Sequence, residues 1–401
     1  MQINVFNILY EPYIIKKPIR LIELFAGVGS QAMALRNLNA DFEHYRVVEY
    51  DKHAVASYNA IHVTQFEPTD ITKINGDDLG ITETSKYDYI LTYSFPCQDL
   101  SGAGKRQGME KGSGTRSGLL WEVERLLNES KELPQILLME NVPEVIGEAN
   151  VDHFNNWCSY LEKKGYSNYY QLLNAKDYGI PQNRNRCFMI SILGDYCYDF
   201  PLPINLNLKL KDLLEENVEQ KYFISNKKVD YLKSYIKKAF LPINELVVAD
   251  YRYDEGLRIR KDNNCPTLTT KNSIGGGLSG FPLLLFPQVL TPKRTEYGKK
   301  IRKKYENKEI NESRHNMTEL IPRNDNISNT LTTVLKDNYI IDQDILVRKM
   351  VPIEYWRLMG FNDIDFFKAE KVVSNTQLYK QAGNSIVVNV LEAIFNPLLG
   401  E

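Results

Sequence analysis

The 401-residue chain predicts an α/β protein: a mainly parallel sheet covered on both faces, joined to a smaller, irregular domain. Three observations carry this. Short apolar runs alternate with helical patterns from residue 18 to residue 200. The pattern breaks at Pro201 and Pro203, and the chain then stays polar, basic and irregular to about Leu346. Helical periodicity returns after Val347.

The elements follow in order. Residues 19–25 are apolar and β-branched, too short for a helix, and read as a first strand running into a Gly-rich turn. Residues 31–37 form a helix, 46–49 a second strand and 54–61 a second helix. Tyr89-Ile90-Leu91 is a third strand, ending near Pro96; 119–130 is a helix with apolar residues three and four apart. Residues 136–140 are a continuous apolar strand, 151–164 a helix and 186–192 a further strand. Residues 352–359 read as a helix closed by Gly360. Residues 386–395 read as an apolar helix with Asn384 or Ser385 as N-cap. So apolar a helix needs a large partner, so the C-terminus is expected back on the sheet. The resulting domains are 1–200, 201–345 and a returning segment, 346–401.

Composition narrows the function. At 43% hydrophobic, the chain can build a large core and two domains. No run of roughly 18 apolar residues appears, so no membrane association is expected. The N-terminus lacks the basic start and cleavage site of a secretory leader. Five Cys without a C-x-x-C pair argue against a metal site and fit a reducing cytoplasm. Net charge is −2, but residues 201–350 hold 26 Lys and Arg against 19 Asp and Glu. The densest run, 293–304, contains Lys299, Lys300, Arg302, Lys303 and Lys304. It shows no regular period, and it reads as a solvated face or a phosphate-contact region. Asn264–Thr270 is weakly echoed at 327–333, as two hairpin edges or two backbone-clamping strands.

Two clusters carry chemistry. Leu24-Phe25-Ala26-Gly27-Val28-Gly29-Ser30 ends a strand and opens a helix, where Gly lets a ligand approach the backbone. Glu49 ends the next strand, placed to accept hydrogen bonds from ribose hydroxyls. Alone, this pattern suits a nicotinamide cofactor equally well. Cys97, in Phe95-Pro96-Cys97-Gln98, is a thiol at the mouth of a strand beside a Gly-rich loop, the position of a nucleophile. Glu140 ends a buried apolar strand, where desolvation favours its protonated form. Arg184 and Arg186, two apart on an extended segment, point to one face and offer rigid donor forks.

Cys97, then Glu140-Asn141-Val142, then Gln182-Asn183-Arg184-Asn185-Arg186, then Gly383-Asn384-Ser385: this ordered set resembles the cytosine-C5 DNA methyltransferase family across nearly the whole chain except its middle. The resemblance implies a Rossmann-like S-adenosylmethionine-dependent methyltransferase domain with an inserted target-recognition domain. It implies S-adenosyl-L-methionine held by Phe25, Ala26, Gly27 and Gly29 on the methionine side, with Pro96. Glu49 holds ribose, and Tyr50, where Trp is more usual, stacks on adenine. Asp70 and Ile71 hold the adenine edge; Leu119, Asn384 and Ser385 complete the pocket. Catalysis is assigned to Cys97, which adds to cytosine C6; to Glu140, which bonds N3 and the exocyclic amine; and to Arg184 and Arg186, the latter on O2.

Because the target carbon is stacked inside a duplex, the base must be flipped out. The Gly-rich stretch 101–118 reads as a loop closing over DNA, with Gln98, Ser101, Lys105, Arg106 and Gln107 as contacts. The implied partner is double-stranded DNA, with a cognate restriction endonuclease where the setting is a restriction–modification system. A monomer in the bacterial cytoplasm, on the nucleoid, is expected. Glu23 replaces the family's usual Asp, Ser30 a usual Gly, and Met350-Val351-Pro352-Ile353-Glu354 matches a family helix start only in part. Three rivals are weighed. An RNA cytosine methyltransferase is disfavoured by an insert of about 145 residues, and a catalytically silent DNA-binding relative by intact Cys97, Glu140 and Arg186. A nicotinamide oxidoreductase leaves Cys97 and the Arg pair unexplained.

Overall fold

The computed structural model describes residues 10–97, 100, 108–112, 114–182, 184–208, 210–220 and 351–400. Between 247 and 349 it describes 247–252, 256–259, 282–285, 288–307, 309, 318–322, 339–341 and 347–349. Two compact units result. One comprises Met1–Leu208, Thr330–Thr333 and Tyr355–Glu401; the other comprises Lys209–Asn329 and Val334–Glu354.

The larger unit is a six-stranded sheet of β1 (Ile19–Leu24), β2 (Phe42–Val48), β3 (Asp88–Tyr93), β4 (Ile136–Asn141), β5 (Tyr166–Asn174) and β6 (Asn185–Leu193), in the order β2-β1-β3-β4-β6-β5. β1 pairs in parallel with β2 and β3, and β3 with β4; β6 lies antiparallel between β4 and β5. Five strands therefore run one way and β6 opposes them. Every residue of β3 and β4 is buried, as a central strand covered on both faces requires. Each fully buried Leu or Ile there is worth about 1.5–3 kcal/mol relative to exposure.

Helices α1 (Ser30–Asn37), α2 (Lys52–His62), α3 (Leu120–Glu129) and α4 (Val151–Lys163) follow the strands. α2 starts where the Asp51 side chain accepts from the His53 amide at 2.9 Å and stops at Val63, which is left-handed. The smaller unit holds two antiparallel sheets, β8-β7-β9 and β11-β10-β12-β13, built from β7 (Val247–Arg252), β8 (Gly256–Ile259), β9 (Pro282–Leu285), β10 (Gln288–Arg294), β11 (Thr318–Pro322), β12 (Tyr339–Ile341) and β13 (Val347–Lys349). What reads as irregular sequence there includes short strands. It also includes helix α5 (Glu296–Glu306), which takes most of the basic run. The run thus has a helical period, contrary to the sequence reading, because Ile301 and Gly298 give it a buried side.

The last helices are α6 (Pro352–Arg357), α7 (Asp363–Glu370), α8 (Asn375–Asn384) and α9 (Val388–Leu399). α9 packs on α1, and its Ile394 carbonyl accepts from the Tyr198 hydroxyl at 2.8 Å. Neither Asn384 nor Ser385 caps it. α9 begins after Val387, Asn384 ends α8, and the Ser385 hydroxyl turns back to the Gln381 carbonyl at 2.7 Å. The N-terminal segment staples the sheet. Tyr13 and the amides of Lys16 and Lys17 all donate to the buried Asp88 carboxylate at the start of β3. Among the described residues no single helix is long and apolar enough to cross a membrane.

Candidate active site

Parallel strands place their carboxyl ends on one edge of a sheet, where open α/β folds bind ligands. Here that edge carries Phe25–Gly29 after β1, Glu49 after β2, Cys97 after β3 and Glu140 at the end of β4. β6, being antiparallel, begins at the same edge. Its register sets Phe188 opposite Glu140, which brings Arg186 beside the carboxylate.

The turn bearing Cys97 is pinned on three successive carbonyls. Asn141 Nδ2 donates to Phe95 O at 3.0 Å, Ser117 Oγ to Pro96 O at 2.7 Å, and the Leu100 amide to Cys97 O at 3.1 Å. Cys97 itself is half-buried and free of any disulfide. Glu140 is almost fully buried, and Arg186 Nε lies 3.1 Å from its Oε1. Burial raises the Glu140 carboxyl above its ordinary range, against the opposing charges of Arg186 and Arg184. Burial, and next the neighbouring Glu140 charge, hold the Cys97 thiol up as well; Arg186 and Arg184 oppose them. Burial thus favours the neutral form of both groups, and the Glu140 charge further disfavours ionisation of the thiol.

Arg184 has a different station from Arg186. Only 4% exposed, it spends its guanidinium on the carbonyls of Gly383 at 3.0 Å and Ser385 at 2.6 Å. Burial and the neighbouring Arg186 push its pKa down to about 9. It ties the turn after α8 to the start of β6. A small, partly open cleft lies alongside, lined by Ala175, Arg184, Arg186, Phe188, Ile386, Val387 and Val390.

The glycine turn faces this edge from β1. Phe25 has φ +58° and Gly27 φ +58°. A Cβ on Gly27 would meet nothing within 4 Å, so open space lies over the backbone there. Gly29 differs: a Cβ would overlap His62 Nε2 and lie 2.7 Å from Tyr58 Cε2. The backbone at Gly27 is therefore open on its Cβ side. Gly29 is the glycine of internal packing, which the sequence reading did not distinguish. Glu49 accepts from the Gly27 amide at 3.0 Å and the Asp51 amide at 2.8 Å; burial raises its pKa, against those two bonds. Tyr50 is 77% exposed and presents a free ring face. Asp70 caps a short 3-10 turn by accepting from Thr72, and Ile71 beside it is buried. Phe25 and Leu119 are half-buried against one apolar cluster, which Cys97 also touches. Ala26 is buried, Pro96 half-buried, Ser385 buried and Asn384 exposed.

The residues expected to contact DNA divide. Gln98, Ser101, Lys105, Arg106 and Gln107 lie outside the described residues, as do both Thr-rich echoes. The later half of the 101–118 loop is anchored: Met109 is fully buried and its carbonyl accepts from Trp121 Nε1 at 2.8 Å. Lys299, Lys300 and Lys304 are exposed on α5, Arg302 is half-buried, and the Lys303 side chain lies outside the described set. Sequence reasoning missed the roles of Asn141 and Ser117. Their signal was present, since small polar residues beside a reactive turn cap its carbonyls. It missed Tyr58 and His62 altogether.

The fold is a methyltransferase fold: the S. pombe Dnmt2 methyltransferase structure matches with a TM-score of 0.57 at 17% identity, over 95% of this chain and 98% of that one. The family model for C-5 cytosine-specific DNA methylase matches residues 19–399. The chain is 32% identical to the type II methyltransferase M2.ScrFI of Lactococcus lactis subsp. cremoris, over 95% of this chain and 99% of that one. It is 33% identical to the orphan methyltransferase M.SssI of Spiroplasma monobiae, over 64% of this chain and 81% of that one. The chain belongs to the C-5 cytosine-specific DNA methylase family and is a DNA cytosine-C5 methyltransferase. Members of this family draw the methyl group from S-adenosylmethionine.

Proposed function

We propose that this enzyme methylates a flipped cytosine through a covalent bond from Cys97 to C6. One observation carries the reading: a pinned thiol, a buried carboxyl and a guanidinium 3.1 Å from that carboxyl meet at the carboxyl edge of the sheet. Addition of sulfur to C6 pushes electrons toward N3 and O2 and makes C5 nucleophilic. Burial biases Glu140 toward its protonated form, in which it donates to N3 while its other oxygen accepts from the exocyclic amine. Arg186 faces O2, where negative charge gathers. When Glu140 is protonated, burial still holds the thiol up, but the second opposing influence, the Glu140 charge, is gone and Arg186 and Arg184 favour thiolate. The reaction closes when the C5 proton leaves and the carbon–sulfur bond breaks.

S-adenosyl-L-methionine, when bound, supplies an electrophilic methyl group. The residues fit it. The open side of Gly27 admits a ligand to the backbone, Glu49 keeps acceptor capacity for ribose hydroxyls, and Tyr50 offers a stacking face. Asp70 and Ile71 bound the adenine edge. Phe25, Ala26, Pro96, Leu119, Asn384 and Ser385 bound the rest.

The smaller unit is assigned target recognition on duplex DNA. The exposed lysines of α5 serve phosphates rather than base edges. A bacterial or phage restriction–modification setting, with a partner endonuclease on the same site, is part of this reading, as is a monomer acting on nucleoid DNA.

The test is bisulfite sequencing of DNA from cells expressing the protein. Conversion-resistant cytosines in one sequence context are expected, and Cys97→Ser should abolish them. Full methylation by Cys97→Ser would overturn the mechanism.

A further inference from the structure

Behind the glycine turn lies a polar cluster that nothing in the cofactor reading uses. Glu23, at 0% exposure near the end of β1, accepts from the Tyr58 hydroxyl at 2.5 Å. His44 Nδ1 lies 2.8 Å from the same hydroxyl. While that hydroxyl donates to Glu23, His44 Nδ1 is the donor to it. His62 Nε2 lies 3.1 Å from the Val28 carbonyl, and only a protonated nitrogen can bond there. The rings of Tyr58 and His62 sit 4.4 Å apart, and His62 and His44 4.8 Å apart. Tyr58 and His62 both come from α2, one turn apart, and press on Gly29.

We propose that His62, braced by Tyr58, is a positioning residue for the cofactor turn: it holds the Val28 carbonyl between the two left-handed glycines and so fixes where the Gly27 amide and its open face point. Three independent features agree. The bond falls on the one residue between Gly27 and Gly29. The imidazole fills the space a Gly29 Cβ would need, which ties the identity of Gly29 to His62. The Gly27 amide on the far side is the one that Glu49 receives, so a shift of Val28 carries into the ribose-binding carboxylate. Burial, with the charges of His44, Arg36 and Lys368 around it, lowers His62 to about 3, which keeps it a neutral donor throughout the working range.

The inference rests on the S-adenosylmethionine reading, and the experiment separates the two. The probe is S-adenosylhomocysteine, titrated calorimetrically into the full chain, with steady-state methylation measured alongside. His62→Met keeps the bulk and loses the donor; His62→Gln keeps an amide donor within reach of Val28. His62→Met should weaken binding about tenfold and raise the cofactor KM equally, with kcat at saturating cofactor unchanged. His62→Gln should recover most of the loss. Tyr58→Phe, which removes only the hydroxyl, should weaken binding several-fold and serves if His62→Met does not fold. A wild-type protein that fails to bind the probe sinks the cofactor reading itself. Wild-type binding matched by His62→Met, or by Tyr58→Phe in its place, overturns the inference alone, as does a loss in kcat without a change in KM.

Discussion

Replacing Glu23 by glutamine should change the pH dependence of stability in a calculable way. Glu23 is fully buried, and burial raises its pKa from 4.5 to about 7, opposed by bonds from Tyr58 and the Ala32 amide. A raised carboxyl binds its proton more tightly in the folded state. Between about pH 4.5 and 7 the folded chain holds a proton that the unfolded chain has released, so stability falls as pH rises through that window. The window spans roughly 2.5 units at about 1.4 kcal/mol each, or about 3 kcal/mol in all. A glutamine amide cannot ionise and removes this loss. His44 and His62 act in the opposite sense in an overlapping window. Their pKa values fall to about 4 and about 3 through burial, so they release stability as pH drops below about 6.5. Only the difference between variant and wild type isolates Glu23. Urea unfolding at half-unit steps from pH 4.5 to 8 should show Glu23→Gln gaining on wild type by about 3 kcal/mol, all of it before pH 8. A pH-independent difference would refute the argument.

Three further outcomes follow from the site. Alkylation of Cys97, mapped by mass spectrometry against the other four cysteines, should become faster at a given pH in Glu140→Gln and slower in Arg186→Met, because those neighbours shift the thiol in opposite directions. Shifts of the same sign would contradict the shared electrostatics. Glu49→Ala should weaken S-adenosylhomocysteine binding about ten- to hundredfold, through lost charge-assisted bonds, and leave DNA affinity without cofactor unchanged in a filter-binding assay. Neutralising Lys299, Lys300 and Lys304 together should flatten the slope of log affinity against log salt by about 2.7, without altering the methylated sequence. An altered sequence with an unchanged slope would place these lysines on bases.

The strands that carry the site were legible because β1, β3 and β4 are buried almost throughout and read as short, largely apolar runs. β5 was not. Its sequence, Tyr-Ser-Asn-Tyr-Tyr-Gln-Leu-Leu-Asn, sits at a sheet edge with mostly half-buried or exposed side chains and has neither an apolar run nor strict alternation. α8 was hidden similarly, since only Leu378, Tyr379, Gln381 and Ala382 of its ten residues are buried. α5 was masked by its charge, which conceals a period marked by the buried Gly298 and Ile301. In the site, Cys97, Glu140 and Arg186 were readable because each ends or begins a strand at one edge. The distinct station of Arg184 was not, because its carbonyl partners lie some 200 residues away. The packing of His62 on Gly29 likewise depends on how α2 meets the turn, which no local pattern encodes.

The central claim is a covalent bond between Cys97 and cytosine C6. It is tested most directly with duplex DNA carrying 5-fluorocytosine at the methylated position, because fluorine at C5 cannot leave as a proton does and the adduct persists. Incubation with the enzyme and S-adenosylmethionine should yield a complex that survives denaturant, with the DNA attached to the peptide containing Cys97, and Cys97→Ser should form none. No denaturant-resistant complex under conditions that methylate unmodified DNA, or attachment at any other residue, would contradict the account.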